Sequence, residues 1–357
     1  MSWLEAVKKL VSALKLLLET KAGTDADSAQ AAQASDTGNS ITISDYSSSE
    51  FFELCKLEAV TSAFDTSTKF VSTQAEESLS PIDLFIKNTT ELNKLSNDNY
   101  TPILGNLLLL GYVSAAESYT RALIRRLINS DSYISSLVSE KTVSYAAALH
   151  HKKDVLPEAL LEEFSLASPF NVFETLRDLI GMKGHRPPSL IPPSHEFRKV
   201  CELRHCCVHR FGKLGSKNAI KLGLPEHSEF LEHQINLQRE DVENIAFIVD
   251  NFIKSINNYV YKFILERTVK NKNDEDGGRP FYQENWTWDF EQDRERFEKY
   301  YSLFSTELDA IKSMPLNICY QKFMDEHKPT PQPLPARKRN RGSTQVAPNK
   351  PAGAAAT

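Results

Sequence analysis

Two long amphipathic segments constrain the fold of this chain more than any other feature. Apolar residues recur at spacings of three and four from Leu104 to Asn129, and again from Arg239 to Thr268. This spacing places apolar side chains on one face of an α-helix. The alternation of apolar and polar residues that is typical of β-strands is rare in the sequence. We therefore predict a mainly α fold, an up-and-down helical bundle at residues 101–268.

Shorter helices are predicted between the two long ones. One helical pattern covers residues 132–149, and another covers residues 171–180, where Gly181 should end it. The proline-dense segment that follows is expected to be a loop, and Ser194 is expected to cap the next helix. A second loop is expected after that helix, in the glycine-punctuated residues 211–228.

The sequence outside the bundle divides by composition into five segments. We expect an amphipathic helix at residues 1–20, a flexible linker at 21–50, an uncertain helical extension at 51–100, a helical extension at 281–325 and a disordered basic tail at 326–357. The first of these helices should dock on the chain itself or on a partner, with a membrane surface as the weaker alternative. Within the third segment, Pro81 is a natural first residue for a helix.

Composition narrows the classes of function. The chain has 13 glycines and no glycine-rich phosphate loop, which argues against a nucleotide-binding α/β enzyme. Its five cysteines, without framework spacing, favour a reducing compartment. Apolar runs are too short to span a bilayer and the N-terminus is not a secretory signal, so we expect a cytoplasmic protein without membrane attachment. The formal net charge of −5 means that nucleic-acid binding would need a local basic surface.

Residues 202–210, ELRHCCVHR, carry the most informative side chains. On a helix Arg204 shares a stripe with apolar neighbours such as Phe197, where an unpaired charge is costly. Either a carboxylate pairs with Arg204, or this face forms a cleft for an anion. His209 would lie about 140° from Arg204 on an ideal helix. The two side chains can converge only if the helix ends near them, as Gly212 would allow.

Arginine and histidine together supply what phosphodiester cleavage without a metal requires. An imidazole titrates near neutrality, so it can accept a proton from a ribose 2′-hydroxyl or donate one to the leaving oxygen. A guanidinium remains charged and can hold phosphoryl oxygens as negative charge develops. RNA brings its own nucleophile, the 2′-hydroxyl, so no serine or cysteine nucleophile is needed.

The run RHCCVHR, late in a helix and followed by a loop and a long helix, resembles the Arg-x(4–6)-His signature of the HEPN superfamily. The resemblance covers roughly residues 101–268 and includes both long helices. It implies a homodimer in which the two motifs meet across the interface as one composite RNA-cleaving site. It also implies a toxin or antiphage-defence effector, for which a neutralising partner is a further expectation.

The resemblance assigns a role to each candidate residue. His209 would be the acid and base, Arg204 the phosphate clamp, and His205 an orienting neighbour. Cleavage would leave a 2′,3′-cyclic phosphate and a 5′-hydroxyl, with no metal and no other cofactor. Glu117 and Arg121 match the Glu-x3-Lys/Arg pair that supports the site in some members.

Several alternatives remain open at the level of sequence. Arg198 with His205 also matches the Arg-x(4–6)-His pattern. Arg204 could instead form a buried ion pair with a glutamate of a neighbouring helix, and the domain could be a non-catalytic module or scaffold that binds a nucleotide or a protein.

Two further alternatives concern individual side chains. Glu117 and Arg121 stand four residues apart, a spacing at which a surface salt bridge is common. The residues Cys201, His205 and His209 follow one another at the same spacing and could in principle ligate zinc, although no second Cys/His cluster accompanies them.

Overall fold

A computed structural model describes residues 54–55, 64–70, 78–96, 100–182, 184–269 and 285–329, and only the backbone of residues 275–276 and 279–280. The expected helix at residues 1–20, the linker at 21–50 and all but the first residues of the tail lie outside this part of the chain.

The described part is mainly α, which confirms the predicted fold class. Its α-helices are α1 Pro81–Ser96, α2 Pro102–Ser130, α3 Ser132–Val138, α4 Tyr145–His150, α5 Pro157–Leu161, α6 Pro169–Ile180, α7 Ile191–Arg210, α8 Ser216–His227, α9 Arg239–Val269, α10 Phe290–Phe304 and α11 Leu316–His327. Short 3-10 turns lie at Ser67–Lys69, Pro188–Leu190 and Ser228–Phe230. An antiparallel pair of two-residue strands, β1 Glu275–Asp276 and β2 Arg279–Pro280, completes the set.

The two long helices form the centre of the bundle, as their periodicity predicts. Helix α2 packs on α9, and α7 packs on both. Thr101 begins α2 because its hydroxyl accepts a hydrogen bond from the Leu104 amide at 3.2 Å, and Pro102 occupies a first-turn position that needs no amide donor. Leu109 and Val113, both fully buried, lie on the face that this geometry turns inward.

The packed core extends beyond the two long helices on both sides. Ile82 and Phe85 of α1 belong to the same buried cluster as Phe297 of α10 and Phe323 of α11. Helix α1 begins at Pro81 as expected, and α10 and α11 supply the helices expected in residues 281–325.

Two buried carboxylates attach these outer helices. Asp131 follows α2, caps α3 by accepting from the Ile134 amide at 2.9 Å, and forms an ion pair with Arg267 that is almost completely buried. The carboxylate also accepts from the Tyr300 hydroxyl at 3.1 Å. This cluster joins α2, α9 and α10 at one point of the core.

Asp293, the second of these carboxylates, is fully buried at the start of α10. It accepts from the Tyr320 hydroxyl at 2.6 Å and from the amides of Thr287 and Trp288 at 3.0 Å and 2.9 Å. Burial alone would raise the pKa of this carboxyl, but these hydrogen bonds outweigh burial and leave its pKa below the ordinary value.

Three local predictions are wrong, each for an identifiable reason. The single helix expected at residues 132–149 is two helices, because Ser144 caps a new start by accepting from the Ala147 amide at 3.2 Å. Ser194 is not a cap. Helix α7 begins earlier, at Ile191, since its prolines fit a first turn, and the Ser194 hydroxyl donates back to the Leu190 carbonyl at 2.6 Å.

The third correction concerns residues 211–228, which were expected to be a loop and contain α8. Gly223 interrupts this helix with φ 116° and ψ 97°, and Pro225 follows within it. These two residues mask the helical pattern in the sequence, because neither favours a helix interior.

Among the described helices, none combines the length and the apolar character that a membrane span requires.

Candidate active site

Helix α7 carries the candidate residues and continues without a break through Arg210. The chain leaves the helix only at Phe211 and Gly212, with φ values of 53° and 89°. Arg204 and His209 therefore both lie inside regular helix, about 140° apart around its axis. The condition for their convergence within one chain is not met, because the left-handed turn that ends the helix lies beyond both residues.

Arg204 lies on the core-facing side of α7 and meets a carboxylate. Its Nη2 is 3.7 Å from Oε1 of Glu117 on α2, and the two side chains are 27% and 23% exposed. The ion-pair alternative for Arg204 is thus present, in a half-buried form. Arg121, in contrast, donates to the carbonyl oxygens of Leu161 and Phe164 at 2.5 Å and 2.9 Å, so the surface pair of Glu117 with Arg121 is replaced by contacts to other elements.

A groove of about 610 Å³ runs along another side of α7. Helical spacing places Arg198, Glu202 and His205 in one row along its floor. The row from Ile191 to His205 extends about 21 Å at the rise of an α-helix. The first turn of α6 and Lys221 of α8 form the opposite side.

A buried carboxylate organises the C-terminal end of this groove. Glu202, 7% exposed, receives Lys221 Nζ at 3.0 Å and Asn218 Nδ2 at 2.9 Å, both from α8. Its Oε2 also lies 3.6 Å from Nδ1 of His205 on the same helix. The carboxylate therefore ties α8 to α7 and stands directly behind one imidazole ring.

Two histidines lie side by side at this end. The ring centroids of His205 and His209 are 6.1 Å apart, since the two residues are one helical turn from each other. His205 is partly exposed toward the groove, and His209 is exposed just beyond its end. Two imidazoles at this separation can serve one phosphodiester from two sides, one as base and one as acid.

The groove carries more positive than negative side chains. Arg186, Arg198 and Lys221 all line it, and Glu202 is its one carboxylate among the described residues. Arg198 is exposed and makes no ion pair within the described chain. This local excess of positive charge suits a polyanionic ligand, although the whole chain has a net charge of −5.

The cysteines of α7 lie away from this chemistry. Burial raises the pKa of Cys201 far above its usual range, and burial also raises the pKa of Cys207, to about 11. A zinc site with Cys201 would need its thiolate, which burial disfavours. The described residues contain no group of three or more His, Cys, Asp and Glu side chains placed to hold a metal.

No family model, no curated protein and no solved structure matches the chain.

The sequence contained part of this arrangement. The Arg198–His205 spacing was visible, and a helical period brings these residues to one face together with Glu202. Lys221 and Asn218 were missed because they fall in a predicted loop, and only the helix α8 brings them to Glu202.

Proposed function

We propose that this protein is a metal-independent endoribonuclease whose acid and base are His205 and His209. One imidazole removes the proton from a ribose 2′-hydroxyl, and the oxygen attacks the adjacent phosphorus. The bond from phosphorus to the 5′-oxygen breaks, and the other imidazole, protonated, donates its proton to that leaving oxygen. The products are a 2′,3′-cyclic phosphate and a 5′-hydroxyl.

The single observation that carries this proposal is the imidazole pair beside a cationic groove, with 6.1 Å between ring centroids. Arg198 and Lys221 line that groove and would hold the phosphate that carries the developing charge. Glu202, behind His205, would hold the ring in one orientation. Arg204 as phosphate clamp stays a prediction from the resemblance, because within one chain its contact is with Glu117.

A homodimer with a composite site is the second part of the proposal. Arg204 of one copy could then reach His209 of another, which the helix prevents within a single chain. Val208 and Phe211, 47% and 81% exposed beside His209, would supply apolar contact area. Analytical ultracentrifugation tests this arrangement: a monomer at the concentrations at which RNA is cut would exclude it.

The product chemistry tests the proposed reaction. Purified protein in EDTA should cut an oligoribonucleotide, and mass spectrometry should find the cyclic phosphate and the 5′-hydroxyl. A strand of the same sequence with deoxyribose at every position should remain intact, because it lacks the nucleophile. A 3′-hydroxyl product, or cleavage that requires a divalent metal, would contradict the proposal. Binding of RNA with no product would favour the non-catalytic module.

A toxin or defence role would follow from the same reaction. Expression of the wild-type chain should then arrest bacterial growth, and expression of His205→Gln should not. Equal growth of both strains at equal protein levels would argue against that role without bearing on the reaction itself.

A further inference from the structure

The groove has an apolar and aromatic lining that the cleavage reaction does not use. Phe170, in the first turn of α6, is 63% exposed and lines the groove, as do Pro169 and Ile191. Nearby, the Arg186 guanidinium stacks on the Phe173 ring at 4.0 Å from its centroid and also lines the groove. An exposed aromatic ring and a held cation thus share one groove with Arg198 and Lys221.

We propose that this groove binds an unpaired stretch of nucleic acid, with a base stacked on Phe170 and phosphates at Arg198 and Lys221. Aromatic platforms combined with a cationic track are the chemistry that binds single strands, because every base has a π-face and every nucleotide a phosphate. The strand leads along α7 to His205. The identification of RNA as the natural ligand rests on the proposed function. The binding of a single strand in the groove is argued from the lining residues alone.

The geometry favours a single strand over a duplex. In a duplex both faces of each base are covered by stacking, so Phe170 would have no base to contact. The groove runs about 21 Å along α7 and its volume of about 610 Å³ is within the range of small-ligand pockets. A groove of these dimensions accommodates a few nucleotides of a single strand and not the full width of a nucleic-acid duplex.

The test uses a strand that cannot be cut. Fluorescence anisotropy measures binding of a labelled DNA strand of about twelve nucleotides to the full chain, which should bind it in preference to the corresponding duplex. Phe170→Leu should weaken binding about tenfold, near the lower end of the effect of removing one stacking ring. Phe247→Leu is the matched control, since Phe247 is 65% exposed on α9 and does not line the groove.

A second variant reports on the phosphates. Arg198→Gln should reduce the slope of log affinity against log salt by about 0.7, as expected for one lost contact to a single strand. Melting temperatures of all three variants should stay near the wild-type value, since all three positions are exposed.

Three results would overturn the inference. The first is equal affinity of Phe170→Leu and Phe247→Leu for the strand. The second is duplex binding as tight as single-strand binding. The third is displacement of the strand by polyglutamate at equal charge concentration, which would make the groove a site for acidic polypeptide. Each of these leaves the cleavage proposal standing, and a failure to cut RNA leaves the strand-binding inference standing.

Discussion

Glu202→Gln removes a buried negative charge and keeps the shape of the side chain. The neutral amide can still accept from Asn218, at a cost of about 1 kcal/mol for exchanging a charged acceptor for a neutral one. The lost ion pair with Lys221 adds about 0–1 kcal/mol, because the lysine side chain is 54% exposed and stays solvated. Urea denaturation should therefore show a loss of about 1–2 kcal/mol.

Binding and cleavage should change in opposite directions in this variant. A phosphate bound in the groove is repelled by the Glu202 carboxylate by an energy on the order of 1 kcal/mol, and salt reduces this repulsion, so the strand should bind about threefold more tightly to Glu202→Gln. Cleavage of RNA should slow by about 10- to 100-fold, because His205 loses the carboxylate that holds its ring in place.

The assay compares wild type with Glu202→Gln and Glu229→Gln. Glu229 is an exposed carboxylate that does not line the groove, so its variant should match wild type in stability, binding and rate. A purely structural role for Glu202 would weaken binding and cleavage together, in proportion to the loss of stability. That result, or no change in either quantity, would refute the reasoning.

Three further predictions concern stability and reactivity. Cys201 is buried and burial raises its pKa, so iodoacetamide should modify exposed Cys55 quickly and Cys201 only in denaturant. Mass spectrometry of native and denatured samples measures the modification of each cysteine. Asp131→Ala should cost about 4 kcal/mol in urea denaturation, because it leaves Arg267 buried without its partner, and Asp131→Asn should cost less because it keeps the helix cap; equal losses would contradict this. The lowered pKa of Asp293 means that its carboxylate stabilises the fold at neutral pH and loses that effect as the pH falls. The stability difference between wild type and Asp293→Asn should therefore shrink from pH 7 to about pH 3, and a constant difference would show that the pKa is not lowered.

The long helices and several helix ends could be predicted from sequence. Apolar periodicity over many turns identifies α2 and α9, and Gly181 ends α6 with φ 78° because glycine adopts that conformation without strain. These features depend on local spacing and on one residue at a time. Both kinds of information are present in a single sequence.

The site could be predicted only in part, because it depends on contacts between helices. Arg204 and His209 could form one site within a chain only if the helix ended between or beside them. The helix instead ends at Phe211 and Gly212, after both residues. The row through His205 required only the helical period. The place of Lys221 in the site could not be predicted from the sequence. Gly223 and Pro225 weaken the helical pattern of α8, and the partner of Lys221, Glu202, lies on α7.

The central claim, that the histidine pair cuts RNA, is tested most directly by single-turnover rates on labelled RNA in EDTA. His205→Gln and His209→Gln should each be slower than wild type by about 100-fold or more. His150→Gln, at an exposed histidine of α4 outside the groove, should cut at the wild-type rate. Rates for His205→Gln and His209→Gln that equal wild type, with all proteins folded, would contradict the claim.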